Sequence, residues 1–308
     1  MFSKKLLIPL LSLSLLVTPA YSSHAAENAE AAGTSVEGQG MLSPSSSSER
    51  SESVFNGSGA GTSSEPVTDE KLETILKQVQ SQLPAENGTW AVFISDLVNG
   101  TEGSLNDQKM QAASLIKLYI MGAVYENYDQ ITGQYGRDSV DSNLYSMITV
   151  SDNDAANTLT TYLGGGDSAA GMQAVNSFCQ AHGYDQTHMG RMLLASNEND
   201  DNYTSVGDCG HLLQEIYKQD TSGYTHATDM FNLLKAQTRC NKIPAQLPEG
   251  VKTANKTGEL DNVENDAGII YDSKNDVVIV FMSQNLSSAG SAQNTIATLS
   301  RTIYDYYN

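Results

Sequence analysis

The chain has 308 residues, 36 acidic against 17 basic, and a formal net charge of −19. That length supports one large domain or two modest ones, with ample material for a core. The surplus of negative charge repels phosphate backbones and anionic lipid heads, which excludes nucleic-acid binding as a working function.

The N-terminus has the pattern of an export signal. Lys4 and Lys5 precede an apolar run from Leu6 to Val17, and Ser23-His24-Ala25 offers small residues where a signal peptidase reads them. Residues 1–25 are therefore expected to be a signal peptide cleaved after Ala25, giving a secreted protein with no membrane insertion afterwards. The alternative is an uncleaved anchor, for which the run is short. Residues 26–66 are rich in Ser, Gly and Glu and nearly empty of large apolar side chains. Such a segment cannot bury enough surface to offset its ordering entropy, and it is expected to be a disordered linker. Residues 67–308 remain as the folded domain.

Within that domain, residues 69–82 place Leu72, Ile75, Leu76 and Val79 at helical spacing. Residues 89–97 suggest a strand, followed by a turn at Asn99-Gly100. An apolar helix is expected from Ser114 to Tyr125, then a helix-rich middle to about 240. Residues 267–272 and 276–283 suggest two strands of a hairpin turning at Ser273–Asp276, and an amphipathic helix closes the chain over 290–306. Strands at both ends with helices between them point to an α+β fold. Its antiparallel sheet joins the first and last parts of the domain, and an all-helical lobe is inserted between them.

The chemistry centres on a lysine in an unsuitable place. From Ala112 to Val124 nearly every side chain is apolar, and a helix that is hydrophobic all round is a buried one. Lys117 lies inside it. An ammonium buried without a partner costs several kcal/mol, and its usual escape is to lose the proton. Snorkelling to the surface is the alternative, but no polar stripe flanks it. Ser114 stands three residues earlier, on the same helical face. A lysine with a lowered pKa can take the proton of a neighbouring hydroxyl and make it a nucleophile. Ser114 would also open the helix, leaving its N–H free to stabilise an oxyanion.

Two further triplets follow. Ser151-Asp152-Asn153 precedes a helical stretch and, alone, is equally an N-cap. Lys256-Thr257-Gly258 lies just before the terminal hairpin and, alone, reads as a strand end and turn. In this order the S-x-x-K, SDN and KTG triplets resemble the serine β-lactamases and penicillin-binding proteins, and class A β-lactamases most closely. The resemblance extends over about residues 67–308 and includes Leu247-Pro248-Glu249-Gly250 before the third triplet. It implies a five-stranded antiparallel sheet flanked by helices and an acyl-enzyme on Ser114. Lys117 would help deprotonate that serine, and Ser151 would relay a proton to the leaving nitrogen. It further implies that Asn153 holds the substrate's amide side chain, and that Lys256, Thr257 and Gly258 bind the carboxylate end. The N–H of Glu259 would be the second oxyanion donor. No cofactor and no metal are implied. The expected partner is a small β-lactam or peptidoglycan-derived substrate, and the expected state is a monomer.

The sequence also departs from that family. Matching around Arg191 and Asn197 puts Leu193 where class A enzymes carry the glutamate that activates the deacylating water, and Glu198 is out of register. Slow β-lactam turnover is therefore expected. The interval from Ser114 to Ser151 is shorter than in class A enzymes, which should open the cleft. Where the family often has a carboxylate-anchoring arginine, this chain has Asp266-Ala267-Gly268 with Asp261 and Glu264 nearby, an arrangement expected to repel an anion. The alternatives are a DD-peptidase of penicillin-binding type acting on peptidoglycan peptides, and a non-catalytic binder of β-lactams or wall fragments. Of Cys179, Cys209 and Cys240, the last two are the suggested disulfide pair, with three buried thiols as the alternative.

Overall fold

The structure is a computed structural model that describes residues 69–219 and 224–308. The expected signal peptide and linker lie outside the described residues. Every described element belongs to one compact unit, Ser63–Asn308.

The first helix, α1 (Glu70–Gln82), starts at Asp69, whose side chain caps it by accepting from the Lys71 N–H, and it buries Leu72, Ile75 and Val79. A hairpin follows, β1 (Thr89–Asp96) and β2 (Thr101–Leu105), and then the short β3 (Met110–Gln111). The helical lobe comprises α2 (Ile116–Glu126), α3 (Tyr128–Tyr135), α4 (Arg137–Thr149), α5 (Asn153–Leu163) and α6 (Ser168–Ala181). A loop leads to β4 (Tyr203–Thr204), which pairs with β3. Next come α7 (Val206–Lys218) and α8 (Ala227–Lys235), then the strands β5 (Lys252–Leu260), β6 (Val263–Tyr271) and β7 (Val277–Gln284), and α9 (Ala289–Tyr307).

The main sheet has five strands in the order β2-β1-β7-β6-β5, and each neighbouring pair is antiparallel. The α+β class and the meeting of the domain's first and last strands are as expected: Thr89 pairs with Gln284 and Asp96 with Val277. Side chains alternate across a strand, so the sheet feeds two cores. Trp90, Val92, Ile94, Val277, Ile279 and Phe281 pack towards α1 and α9. Ala91, Phe93, Val278, Val280 and Met282 pack towards the helical lobe. Because both faces are covered, β1 is apolar without a break from Trp90 to Ile94 and β7 from Val277 to Met282. Each such side chain contributes about 1.5–3 kcal/mol on burial.

Three details differ from the sequence expectations. The apolar helix begins at Ile116, and Ala113–Leu115 before it form a turn of 3-10 helix. The Lys256-Thr257-Gly258 triplet lies inside β5, not at a strand end. That strand was missed because its residues, KTANKTGEL, are polar at the positions that line the cleft. The suggested Cys209–Cys240 pair is also corrected. All three cysteines are free thiols; Cys179 and Cys209 are buried and Cys240 is exposed, so the alternative of three buried thiols fails too. Cys209 sits in the first turn of α7 and accepts from the Tyr119 hydroxyl in the core, away from the exposed loop that carries Cys240. Among the described residues no helix is long and apolar enough to cross a membrane.

Candidate active site

Ser114 is presented by the 3-10 turn ahead of α2. Ala113 just before it has φ +48°, a left-handed conformation that costs a non-glycine residue about 1 kcal/mol or more and that the surrounding packing must enforce. Ten of the eleven residues of α2 are buried, from Ile116 to Tyr125, and Lys117 is 0% exposed among them. The lysine does not snorkel. Its Nζ lies 3.1 Å from Ser114 Oγ, 2.7 Å from the Ser151 carbonyl oxygen, 3.1 Å from Ser151 Oγ and 2.7 Å from Asn153 Oδ1. Burial draws the Lys117 amine down to about 8, Arg239 adds repulsion, and Asp152 partly opposes both. A neutral amine keeps a lone pair, so it can accept the Ser114 proton while its two N–H groups donate to two of the other oxygens.

The second triplet caps a helix and also faces Lys117. Asp152 is the N-cap of α5, accepting from the Ala155 N–H at 2.8 Å. Ser151 and Asn153, either side of it, are turned to Lys117. Ser151 holds φ +61° in the junction that follows α4. From the third triplet, Lys256 is fully buried and its Nζ donates to Ser151 Oγ at 2.9 Å and to the Thr257 carbonyl at 2.7 Å. Burial pushes its amine well below the ordinary lysine range, and Lys117 and Arg239 push it further. An unbroken chain thus runs from the Ser114 hydroxyl through Lys117 and Ser151 to Lys256.

Gly258 sets how closely β5 approaches the serine. A Cβ there would lie 2.9 Å from the Ala112 carbonyl oxygen and 3.2 Å from the Ser114 nitrogen, so only glycine fits without displacement. Asn265, which pairs with Gly258 across the strands, donates to the Gln111 and Ala112 carbonyls at 2.9 and 3.2 Å and fastens β6 to the same segment. Ser114, Ser151, Asn153, Thr257 and Glu259 line one small hollow of about 120 Å³, so the residues expected from three separate triplets are brought together. It adjoins a cleft of about 530 Å³ lined by Ser114, Asn153, Leu193, Asn197, Glu259 and Asp261 among others. A larger hollow, about 730 Å³, lies beside Asp96, Tyr217 and Asp276 and contains none of the expected site residues.

The loop between α6 and β4 forms the opposite wall. Its second half, from Arg191 to Asp201, is closed by an ion pair between those two residues (2.7 Å), whose side chains are only 13% and 5% exposed. Leu193 is held by its backbone: its N–H donates to Asn157 Oδ1 at 2.8 Å and its carbonyl accepts from Asn157 Nδ2 at 3.0 Å. It lines the cleft with Ser114, whereas Glu198 is exposed and is not a lining residue.

The acidic residues after the third triplet are partly offset by cations, while Asp261 still lines the cleft. Asp266 is fully buried beneath β5, accepting from the Ile243 N–H and Asn255 Nδ2 at 3.0 Å each, and burial pushes its carboxyl up to about 6. Glu264 is paired with the buried Lys242 at 2.6 Å. Arg239, from the loop after α8, reaches the hollow and pairs with Glu259 at 3.0 Å. Sequence reasoning missed both cations because they come from a loop without a motif. The only signal was three basic residues in a short stretch of an acidic chain, Arg239, Lys242 and Lys252.

Among the described residues no group of three or more His, Cys, Asp or Glu side chains could hold a metal ion. His182, His188, His211 and His226 each pair with a carboxylate near the surface.

The sheet-and-lobe fold is that of the β-lactamases and of PBP-A. More narrowly, the model of the beta-lactamase enzyme family matches residues 71–138 and 134–307, and the chain belongs to that family. Among solved structures the fold is shared with the class A β-lactamase of the last common ancestor of Gram-negative bacteria. That match has a TM-score of 0.65 and 20% identity, over 76% of this chain and 100% of that one. It is shared with PBP-A at a TM-score of 0.67 and 22% identity, over 76% and 96%. A PBP-A variant with a leucine-to-glutamate substitution, in an acyl-enzyme complex with penicillin G, matches at 0.65 and 23%, over 76% and 96%. No curated protein sequence matches.

Proposed function

We propose that this protein is a secreted serine hydrolase that forms a covalent acyl-enzyme on Ser114 with β-lactams or related cell-wall amides and esters, and that it releases β-lactam products slowly. The observation that carries the reading is the position of Lys117: fully buried, 3.1 Å from Ser114 Oγ, with its charged form disfavoured. In the acylation step the Ser114 oxygen attacks the carbonyl carbon and its proton passes to Lys117. The N–H groups of Ser114 and Glu259 stabilise the oxyanion, each worth about 3 kcal/mol. Ser151, hydrogen-bonded to both lysines, returns a proton to the leaving nitrogen.

The slow second step follows from Leu193. Leu193, at the position that the family resemblance gives to the water-activating glutamate, is an apolar lining residue of the cleft, and the lining carboxylates, Glu259 and Asp261, come from the end of β5 and the turn after it. The same observation favours a second reading, a DD-peptidase of penicillin-binding type whose natural acceptor is not activated from that loop. The PBP-A variant, trapped as a penicillin acyl-enzyme with glutamate introduced for leucine, shows that such an exchange is compatible with acylation in that protein.

The test is to mix purified protein with a chromogenic cephalosporin and follow colour and intact mass together. The expected result is a stoichiometric burst, an adduct on Ser114 and slow turnover. Fast sustained hydrolysis would remove the slow-release reading, and the absence of any adduct or turnover would remove the acyl-enzyme reading.

A further inference from the structure

The small hollow over Ser114 is built for an anion and already holds one of the protein's own. Arg239 lines it, and the amines of Lys117 and Lys256 meet at Ser151 Oγ on its floor. Of its lining residues only Glu259 carries a carboxylate. That carboxylate is held from two sides: Oε2 accepts from Arg239 Nη1 at 3.0 Å, and Oε1 lies 3.2 Å from Lys242 Nζ. Lys242 cannot move aside, because it is fully buried, donates to the Gly258 and Asn265 carbonyls at 3.3 and 3.0 Å, and pairs with Glu264. Burial pulls the Glu259 carboxyl upward, but Lys242 and then Arg239 outweigh it and keep it below the ordinary glutamate range. Glu259 therefore stays ionised and paired at neutral pH.

A ligand carboxylate entering the hollow must take Arg239 from Glu259 or settle beside a second negative charge, and like charges brought together without water between them strongly oppose binding. A neutral carbonyl or amide meets no such competitor. It can accept from the Thr257 hydroxyl or from Arg239 N–H groups that Glu259 does not use, since a guanidinium has five.

We propose that Glu259 is a built-in competitor for Arg239 that selects against substrates with a carboxylate beside the scissile bond. The cleft is thereby directed to amides or esters that are neutral at that end. This rests on the acyl-enzyme reading for its meaning as substrate choice, but the anion preference itself is a property of reversible binding. It is measured without acylation.

The experiment uses the full chain with Ser114→Ala, so that nothing reacts. Binding of benzylpenicillin and of its neutral methyl ester is measured by calorimetry for this protein and for the same protein with Glu259→Gln. The expected result is tighter binding of the ester than of the acid before the change. After it, the acid should gain ten-fold or more and the ester less than three-fold. Adding Arg239→Gln to the Glu259→Gln protein should abolish the gain for the acid, with thermal melting checking that each variant is folded. An acid-to-ester ratio that Glu259→Gln leaves unchanged overturns the proposal. So does a protein lacking the glutamate that binds no acid, or a gain that survives loss of Arg239. Failure of the unmutated enzyme to form an adduct would instead remove the acyl-enzyme reading and leave this ratio measurable.

Discussion

The two walls of the cleft are built in opposite ways. On one side, the helix α2 and the strand β5 supply polar groups that are buried and multiply hydrogen-bonded: Lys117 to four oxygens, Lys256 to two. On the other, the loop between α6 and β4 is fixed with equal care, by Arg191–Asp201 and by Asn157, yet what it holds against the cleft is the side chain of Leu193. Rigidity is common to both, so rigidity alone does not identify a catalytic wall. What separates them is whether the immobilised group can carry a proton. Under the proposed function the first wall makes the covalent bond and the second is poorly equipped to break it.

The comparison breaks most sharply at Lys117. Lys117→Met should lower the rate of acylation by about 10³-fold, within the range that a positioned base supplies. Stopped-flow measurement of the burst checks it. The unmutated enzyme needs this amine neutral, so its acylation rate should rise with pH and level off above a midpoint near 8, the value to which burial draws the lysine. The rise should vanish in the variant, and a profile flat from pH 6 to 9 in the parent would assign the base elsewhere.

The second wall is sharpened by supplying what it lacks. Leu193→Glu should accelerate loss of the Ser114 adduct by about 10²-fold, as a general base acting on water does. Decay of the adduct mass measures it, and an unchanged rate would show that position 193 does not face the acyl carbonyl. A smaller effect is expected at Gly258→Ala. The added methyl would press on Ala112 O and Ser114 N, costing about 1–3 kcal/mol of stability and slowing acylation by about ten-fold. Denaturant melts and the same burst assay separate the two. Least of all, Glu198→Gln should leave both steps within about two-fold, because that side chain is exposed and outside the cleft lining.

Much of this was legible in the sequence because it depends on local pattern. The burial of Lys117 follows from apolar residues on every side of it, and its partnership with Ser114 follows from helical spacing. The pairing of β1 with β7 was implied by apolar strands at both ends of the domain. What was hidden depends on contacts distant in sequence. Arg239 and Lys242 pair with Glu259 and Glu264 from a loop that has neither periodicity nor motif, so counting charges along the strand overstated the negative charge at the site. The strand β5 was hidden for a related reason. Its cleft-lining residues, Thr257 and Glu259 among them, are polar, and the resulting polar string masks the period-two signal.

The pairing of Thr89 with Gln284 has a consequence for how the molecule comes into being. β1 gains its inner neighbour only when nearly the whole chain is available, and β2 is its outer neighbour alone. Closing so long a loop is entropically expensive and makes for a high contact order and slow folding. Until the last strand arrives, the apolar residues of β1 have no sheet to join. A truncation that removes β7 and α9 should therefore abolish assembly of the central layer altogether, and leave the helices without a floor to pack on.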